Sequence, residues 1–274
     1  MTNNPIAARE NTSPDGRRLF SLDGKRALVT GAGGGIGVAL VAGLAQHGAD
    51  VACIDLTAEV ARRGVNAVEA IGRRALAVAC DVCDPCAIES AVDAILAHFG
   101  GVEILVNLAG KGILKPALEF PLEDWEHTVN TYLRGTFLFC QAVGKIMCTR
   151  GHGSIINISS VASMVALGRG TGPYAAVKAG VNALTRELAL EWAKRGVRVN
   201  AIAPCQIETP QLYSVLNDPQ FDQEKLMRTW LDAIPLGRLG KPEELVGPCV
   251  FLASDASTLV TGHVLMADGG YTIK

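Results

Sequence analysis

Tyr174 and Lys178 stand four residues apart in the stretch GPYAAVKAG. On a helix that spacing stacks two side chains on one face, so the ammonium can reach the surroundings of the phenol. An ordinary tyrosine titrates at roughly 10, too high for a base near neutrality, and a nearby positive charge is what favours its phenolate. Brought down in that way, Tyr174 can take the proton of an alcohol, which is the match between base and working pH that general base catalysis requires. The same pair also occurs on plain helices and specifies nothing alone.

A second stretch with chemical content is RALVTGAGGGIGVAL, where Gly31, Gly35 and Gly37 have the spacing G-x3-G-x-G between an apolar run and a helical pattern. Glycines let backbone approach a pyrophosphate closely, and a helix beginning near Ile36 offers unpaired N–H groups and a positive dipole end. Asp55 closes the next apolar run, DVACID, 18 residues after Gly37. Dinucleotide sites place a carboxylate on the adenosine ribose hydroxyls at about that distance. It would repel a 2'-phosphate, and no Arg or Lys lies within residues 31–37 to offset the repulsion. The expected cofactor is NAD rather than NADP.

A third stretch, CDVCDPC, holds Cys80, Cys83 and Cys86 at two-residue gaps and invites a metal. A structural zinc or cluster site wants four ligands, and the next cysteine, Cys140, is 54 residues further on. Asp84 and Pro85 spell an N-cap followed by proline at the first helical position. Cys80 then ends a strand and Cys86 begins a helix, the thiols point in different directions, and no metal is expected.

The elements that position these groups follow from apolar spacing. RALVT, DVACID, ALAVAC, EILVNL, GSIINIS, VRVNAIA and HVLMAD are short apolar or β-branched runs of strand character, and residues 36–47, 84–99, 121–149, 173–195 and 242–253 carry the three- and four-residue period of helices. Strands alternating with helices predict an α/β fold with a doubly wound parallel sheet of seven strands. Residues 205–240 are weakly patterned and rich in Pro, Gln and Asp, a candidate lid. Residues 1–22 lack an apolar signal core and are expected to form a flexible tail, with one domain over residues 23–274.

Composition narrows the function classes. Of 274 residues, 49% are apolar and 19% charged, and the formal net charge of -2 offers nothing to attract nucleic acid. No run reaches the roughly 18 apolar residues of a membrane span. Eight scattered cysteines fit free thiols in a reducing cytoplasm.

Taken together, TGAGGGIG at 30–37, Asp81 after the third strand, NLAG at 107–110, Asn130, NISS at 157–160, YAAVK at 174–178 and the C-terminal VTGHVLMADGG make the chain closely similar to the short-chain dehydrogenase/reductase family over about residues 24–273. The resemblance implies a single Rossmann-like domain. It makes Tyr174 the acid/base, Lys178 the ribose binder and activator, Ser160 the holder of the substrate oxygen and Asn130 the support of a proton relay through water. It also implies that Gly33, Gly34, Gly35, Ile36 and Gly37 line the pyrophosphate, that Leu56 follows Asp55 at the adenosine, and that Asp81 and Val82 meet the adenine. Asn107, Ala109 and Gly110 would line the ribose and nicotinamide side, and Pro204, Cys205, Ile207 and Thr209 would hold the carboxamide.

Three positions depart from the family pattern. Leu108 replaces a second asparagine, with a structural effect expected. Cys205 stands where glycine is usual. Ser160 precedes Tyr174 by 14 residues, one more than is common in the family, so the loop VASMVALGRGTGP is expected to bulge beside the substrate, and Ser159 remains a rival for the serine role.

The expected function is the NAD-dependent interconversion of a secondary alcohol and a ketone on a small polar molecule of sugar-acid or polyol type. That class is the one the C-terminal run most resembles, with Arg169, Lys111 and Lys115 as candidate substrate contacts. Two alternatives remain: a 3-oxoacyl carrier-protein reductase, against which stand Asp55, Leu138 and Leu190, and a non-catalytic NAD-sensing protein, against which stands the intact Tyr174–Lys178 pair. Long helices rich in Leu133, Phe137, Leu138, Val181, Leu184, Leu188 and Trp192, with the resemblance, imply a homotetramer.

Overall fold

The computed structural model describes residues 16, 18–168, 170–219 and 222–273. Residues 1–15 and 17 of the expected tail lie outside them, as does Arg169. At the end of that tail Leu22 is fully buried and its N–H donates to the His47 carbonyl at 2.7 Å.

Seven strands, β1 (Arg26–Thr30), β2 (Asp50–Asp55), β3 (Ala75–Ala79), β4 (Ile104–Asn107), β5 (Gly153–Ile158), β6 (Val197–Pro204) and β7 (Val264–Ala267), coincide with the seven apolar runs. All pair in parallel, in the order β3-β2-β1-β4-β5-β6-β7. The order reverses between β1 and β4, and such a switch opens a crevice beyond the carboxyl ends of the strands.

The helices are α1 (Gly35–Gln46), α2 (Ala58–Glu69), α3 (Pro85–Phe99), α4 (Leu122–Thr128), α5 (Gly135–Arg150), α6 (Gly172–Trp192), α7 (Pro210–Leu216), α8 (Gln223–Ala233) and α9 (Val246–Ala253). Alternate strand residues point to opposite faces. Val29, Val106 and Ile156 pack with Leu40 and Leu44 of α1 and Leu252 of α9. Their neighbours Leu28, Leu105 and Ile155 pack with Ile95 of α3, Phe139 of α5 and Leu188 of α6. The sheet is thus covered on both faces. None of the described helices is long and apolar enough to cross a membrane.

The structure differs from the expected helices in three places. Helix α2 falls outside the five periodic stretches, although Thr57 caps it by accepting from the Val60 N–H, a contact worth about 1 kcal/mol, and Ala61, Val65 and Val68 form its buried face. Residues 121–149 are not one α-helix, because Val129–Arg134 form a π turn between α4 and α5. Residues 205–240 hold α7 and α8, started by Thr209 and Asp222 as side-chain caps. These two helices rest on a third apolar cluster that includes Val161, Leu216, Trp230, Ile234 and Tyr271.

Candidate active site

At the switch between β1 and β4 a cavity of about 930 Å³ opens over the glycine turn. Gly31 leaves β1 at φ +71°, where a side chain would be strained, and a Cβ on Gly37 would stand 2.1 Å from the Gly31 carbonyl. Gly34 caps α1 without any side-chain hydrogen bond, and the first turn of α1 holds no acidic residue. That helix end is therefore open to an anion.

Gly31, Gly33, Gly34, Gly35, Ile36, Gly37, Asp55, Leu56, Asp81, Val82, Ala109, Gly110, Asn130 and Thr209 all line this cavity. The Asp55 carboxylate accepts from the Gly33 N–H at 3.0 Å and from the Leu56 N–H at 2.9 Å, which ties the end of β2 to the turn. The Thr30 hydroxyl accepts from the N–H groups of Leu108 and Ala109 at 3.1 and 3.2 Å and so aims the NLAG segment. These features fit a dinucleotide. Asn107 stands apart from the lining. It is buried behind it, donating to Asn157 Oδ1 at 2.9 Å and to Cys140 Sγ at 3.3 Å.

The cysteines of CDVCDPC do not converge: Cys80 is buried, Cys83 half-buried and Cys86 exposed. Asp84 accepts from the Cys86 N–H at 2.9 Å and Pro85 opens α3, so the cap and proline pattern holds. Among the described residues no group of three His, Cys, Asp or Glu side chains is arranged to hold a metal. Cys80, Asp81, Val82 and Cys83 instead form part of the nucleotide cavity wall.

Tyr174 and Lys178 lie one turn apart on α6, and Ser160 follows β5. Ser160 hydrogen-bonds Tyr174 and also accepts from the Ala162 N–H at 3.2 Å. Ser159 is committed elsewhere, donating to Ser163 Oγ at 3.2 Å and to the Lys178 carbonyl at 3.4 Å, which leaves Ser160 as the serine joined to the phenol. The Lys178 ammonium donates to the Ile158 carbonyl at 2.6 Å and sits 4.5 Å from the Tyr132 ring centre and 5.6 Å from that of Tyr174.

Burial pushes the Tyr174 phenol up from its ordinary value, and the Ser160 hydrogen bond pulls it part of the way back. Burial also pushes Lys178 down, to about 7. The sequence reading looked to Lys178 and an oxidised nicotinamide ring for the charge that lowers Tyr174; the Ser160 hydrogen bond acts on the phenol in the same direction.

Above this cluster lies a second cavity of about 260 Å³, joined to the first at Ile36, Leu108, Gly110, Thr209 and Gln211. Ser160, Tyr174, Lys178, Pro204, Cys205 and Ile207 line it. Burial pushes the Cys205 thiol up to about 11, so it stands there as a neutral group. Leu167 and Thr171, from the loop expected to bulge, form one side, and Leu212, Val215, Leu226 and Trp230 of α7 and α8 form the roof. Leu108 reaches both cavities, so its effect is not confined to the strand.

The sequence reading missed Tyr132, Gln206 and Gln211. Tyr132 packs edge-on against Tyr174 with ring centres 5.3 Å apart and hydrogen-bonds Gln211 on α7. Its place two residues after Asn130, in a helix toward α6, was a usable signal. Of the basic candidates, Lys115 is paired with Asp124 at 2.5 Å and Lys111 lines the nucleotide cavity. Arg63 of α2, not considered from sequence, also lines that cavity.

Residues 31–272 match the family described as enoyl-(acyl carrier protein) reductase. The chain is 45% identical to the D-threitol dehydrogenase of Mycolicibacterium smegmatis over 257 residues, 93% of this chain and 95% of that protein. It is 41% identical to the gluconate 5-dehydrogenase of Gluconobacter oxydans over 256 residues, 93% of this chain and 98% of that protein. Among solved structures, a gluconate 5-dehydrogenase from Burkholderia cenocepacia in complex with NADP and tartrate superposes with a TM-score of 0.87 at 37% identity, covering 94% of this chain and 99% of that one.

Proposed function

The chain belongs to the short-chain dehydrogenase/reductase family, and on that premise we propose that it oxidises a secondary alcohol of a small polyol or sugar acid to the ketone with NAD, and runs the reverse reduction. The observation that carries the proposal is the meeting of Tyr174, Ser160 and Lys178 on the floor of a cavity continuous with the nucleotide cavity. When bound, the nicotinamide supplies the hydride acceptor.

In the proposed reaction Ser160 holds the alcohol oxygen by a hydrogen bond while Tyr174 Oη takes the hydroxyl proton. Lys178, fixed by the Ile158 carbonyl, orients the ribose and favours the Tyr174 phenolate, the form that takes the proton and becomes the neutral phenol. Asn130 sits in the π turn, whose carbonyl accepts from the Gly135 N–H, and supports the path by which the proton leaves Tyr174. The glycine turn and the open end of α1 bind the pyrophosphate, Asp55 and Leu56 the adenosine ribose, and Asp81 and Val82 the adenine. Ala109 and Gly110 border the nicotinamide side, Pro204, Cys205, Ile207 and Thr209 the carboxamide, and Asn107 braces β4 from behind. We take α7 and α8 as the lid that excludes water from the reacting atoms.

The names of the D-threitol and gluconate enzymes support a polyol or sugar-acid substrate. Asp55 supports NAD. Tyr174→Phe removes the proton acceptor and little of the cofactor contact, so turnover of the best polyol should fall at least 100-fold while NADH still binds. A Phe variant that keeps more than about a tenth of the wild-type rate would rule out Tyr174 as the base.

A further inference from the structure

Among the side chains that line the cavity over Tyr174, one carries a buried polar atom without a hydrogen-bond partner. It is Gln206, and the atom is its side-chain Oε1. Three of the other polar groups there have partners: Tyr132 bonds Gln211, Ser160 bonds Tyr174 and Lys178 bonds the Ile158 carbonyl. The rest of the roof, Leu212, Val215, Leu226 and Trp230, offers no donor besides the indole.

Gln206 is also held in place. Its carbonyl accepts from the Gly240 N–H at 3.0 Å, and the Glu208 N–H donates to the Gly240 carbonyl at 2.8 Å. A bridge between Ile207 and Gly240 closes the same clamp. The side chain therefore starts from a fixed point, two residues after Pro204 ends β6.

We propose that Gln206 determines substrate specificity by receiving, at its carboxamide oxygen, a second hydroxyl of the substrate beside the one that is oxidised. This rests on the alcohol oxidation proposed above and names what it selects, a diol or polyol over the simple alcohol. A buried acceptor without a donor is costly, and a ligand that supplies the donor recovers that cost on binding. A hydroxyl both donates and accepts, so it satisfies either end of the amide; a methylene in its place leaves the oxygen unpaired.

The test compares kcat/KM for matched pairs, butane-2,3-diol against butan-2-ol and the four-carbon tetritols against their singly deoxygenated analogues. Wild type should prefer the member with the second hydroxyl by about tenfold or more, the worth of one buried hydrogen bond. Gln206→Met, of similar size but with no amide, should bring that ratio close to unity. Gln206→Glu, which keeps an acceptor, should retain the preference. A wild-type ratio near unity, or a ratio that Gln206→Met leaves unchanged, overturns the role of Gln206 while leaving alcohol oxidation intact. Failure of wild type to oxidise either member of any pair overturns the alcohol oxidation and the role of Gln206 with it.

Discussion

Asp55 and Arg63 face the nucleotide cavity with opposite charges. A 2'-phosphate beside the carboxylate meets repulsion, and Arg63 acts against that repulsion. NAD should therefore be used about a hundredfold more efficiently than NADP, about 3 kcal/mol, and Arg63→Ala should widen the gap; equal kcat/KM with the two cofactors would sink the assignment. Lys178 gives a second expectation at this scale. Its folded value is about 7 against an ordinary 10.5, so between those values the unfolded chain holds a proton that the folded chain lacks, and stability rises with pH. Cys53, Cys80, Cys140, Cys205 and Cys249 act in the opposite sense. Burial pushes them from 9.0 to about 11 or 12, so above 9.0 the folded chain keeps protons that the unfolded chain has lost, and stability falls. The urea midpoint of the cofactor-free protein should climb from pH 7 toward pH 9 and then drop, and Lys178→Met should flatten the climb. Tyr174, Lys178 and Ser160 were legible because YAAVK and NISS resemble motifs of the family, whereas the spacing of Tyr174 and Lys178 specified nothing alone. Gln206 and Arg63 were not, since nothing in their local sequence says which cavity a single side chain will line.

At the level of elements the strands were plain to read, because a strand buried on both faces is a nearly continuous apolar run. Helix α2 was hidden by its composition: Arg62, Arg63 and Gly64 interrupt the apolar count, and the cap at Thr57 with Ala61, Val65 and Val68 was the signal left unused. The π turn at Val129–Arg134 has no sequence mark, because it changes the hydrogen-bond step without changing the apolar face. Helix α7 escaped for another reason: it is only seven residues long and Pro210 opens it, so its period is too brief to register. The glycine turn makes a firm element-scale prediction. Gly37→Ala puts a Cβ within 2.9 Å of three backbone atoms of Gly31 and Ala32, none of which can yield as a flexible side chain would. It should lower the thermal midpoint and weaken NADH binding at least tenfold in a fluorescence titration, an effect of about 1.4 kcal/mol. Affinity equal to wild type would show that the turn tolerates the shift.

For the whole molecule, the apolar content of residues 121–149 and 173–195 resolves into two parts. Val181, Leu188 and Trp192 are buried within the chain and need no partner, whereas Leu122, Trp125, Phe137 and Leu190 remain exposed. Sequence counting could not separate them, because which face of a helix meets the sheet depends on the crossing angle. The exposed group is the part that a second copy would cover. We expect a homotetramer, and light scattering at micromolar concentration that finds a 28.8 kDa particle would refute it. The distribution of tryptophan has a further use. Trp192 is buried against Gly144 and Trp125 lies at the surface of α4, while Trp230 stands on α8 in the roof of the substrate cavity. Indole emits where reduced nicotinamide absorbs, and energy transfer falls steeply with distance. Emission from Trp230 should dim when a reduced cofactor binds in the adjoining cavity, so the protein carries an optical gauge in the roof over its candidate reaction site.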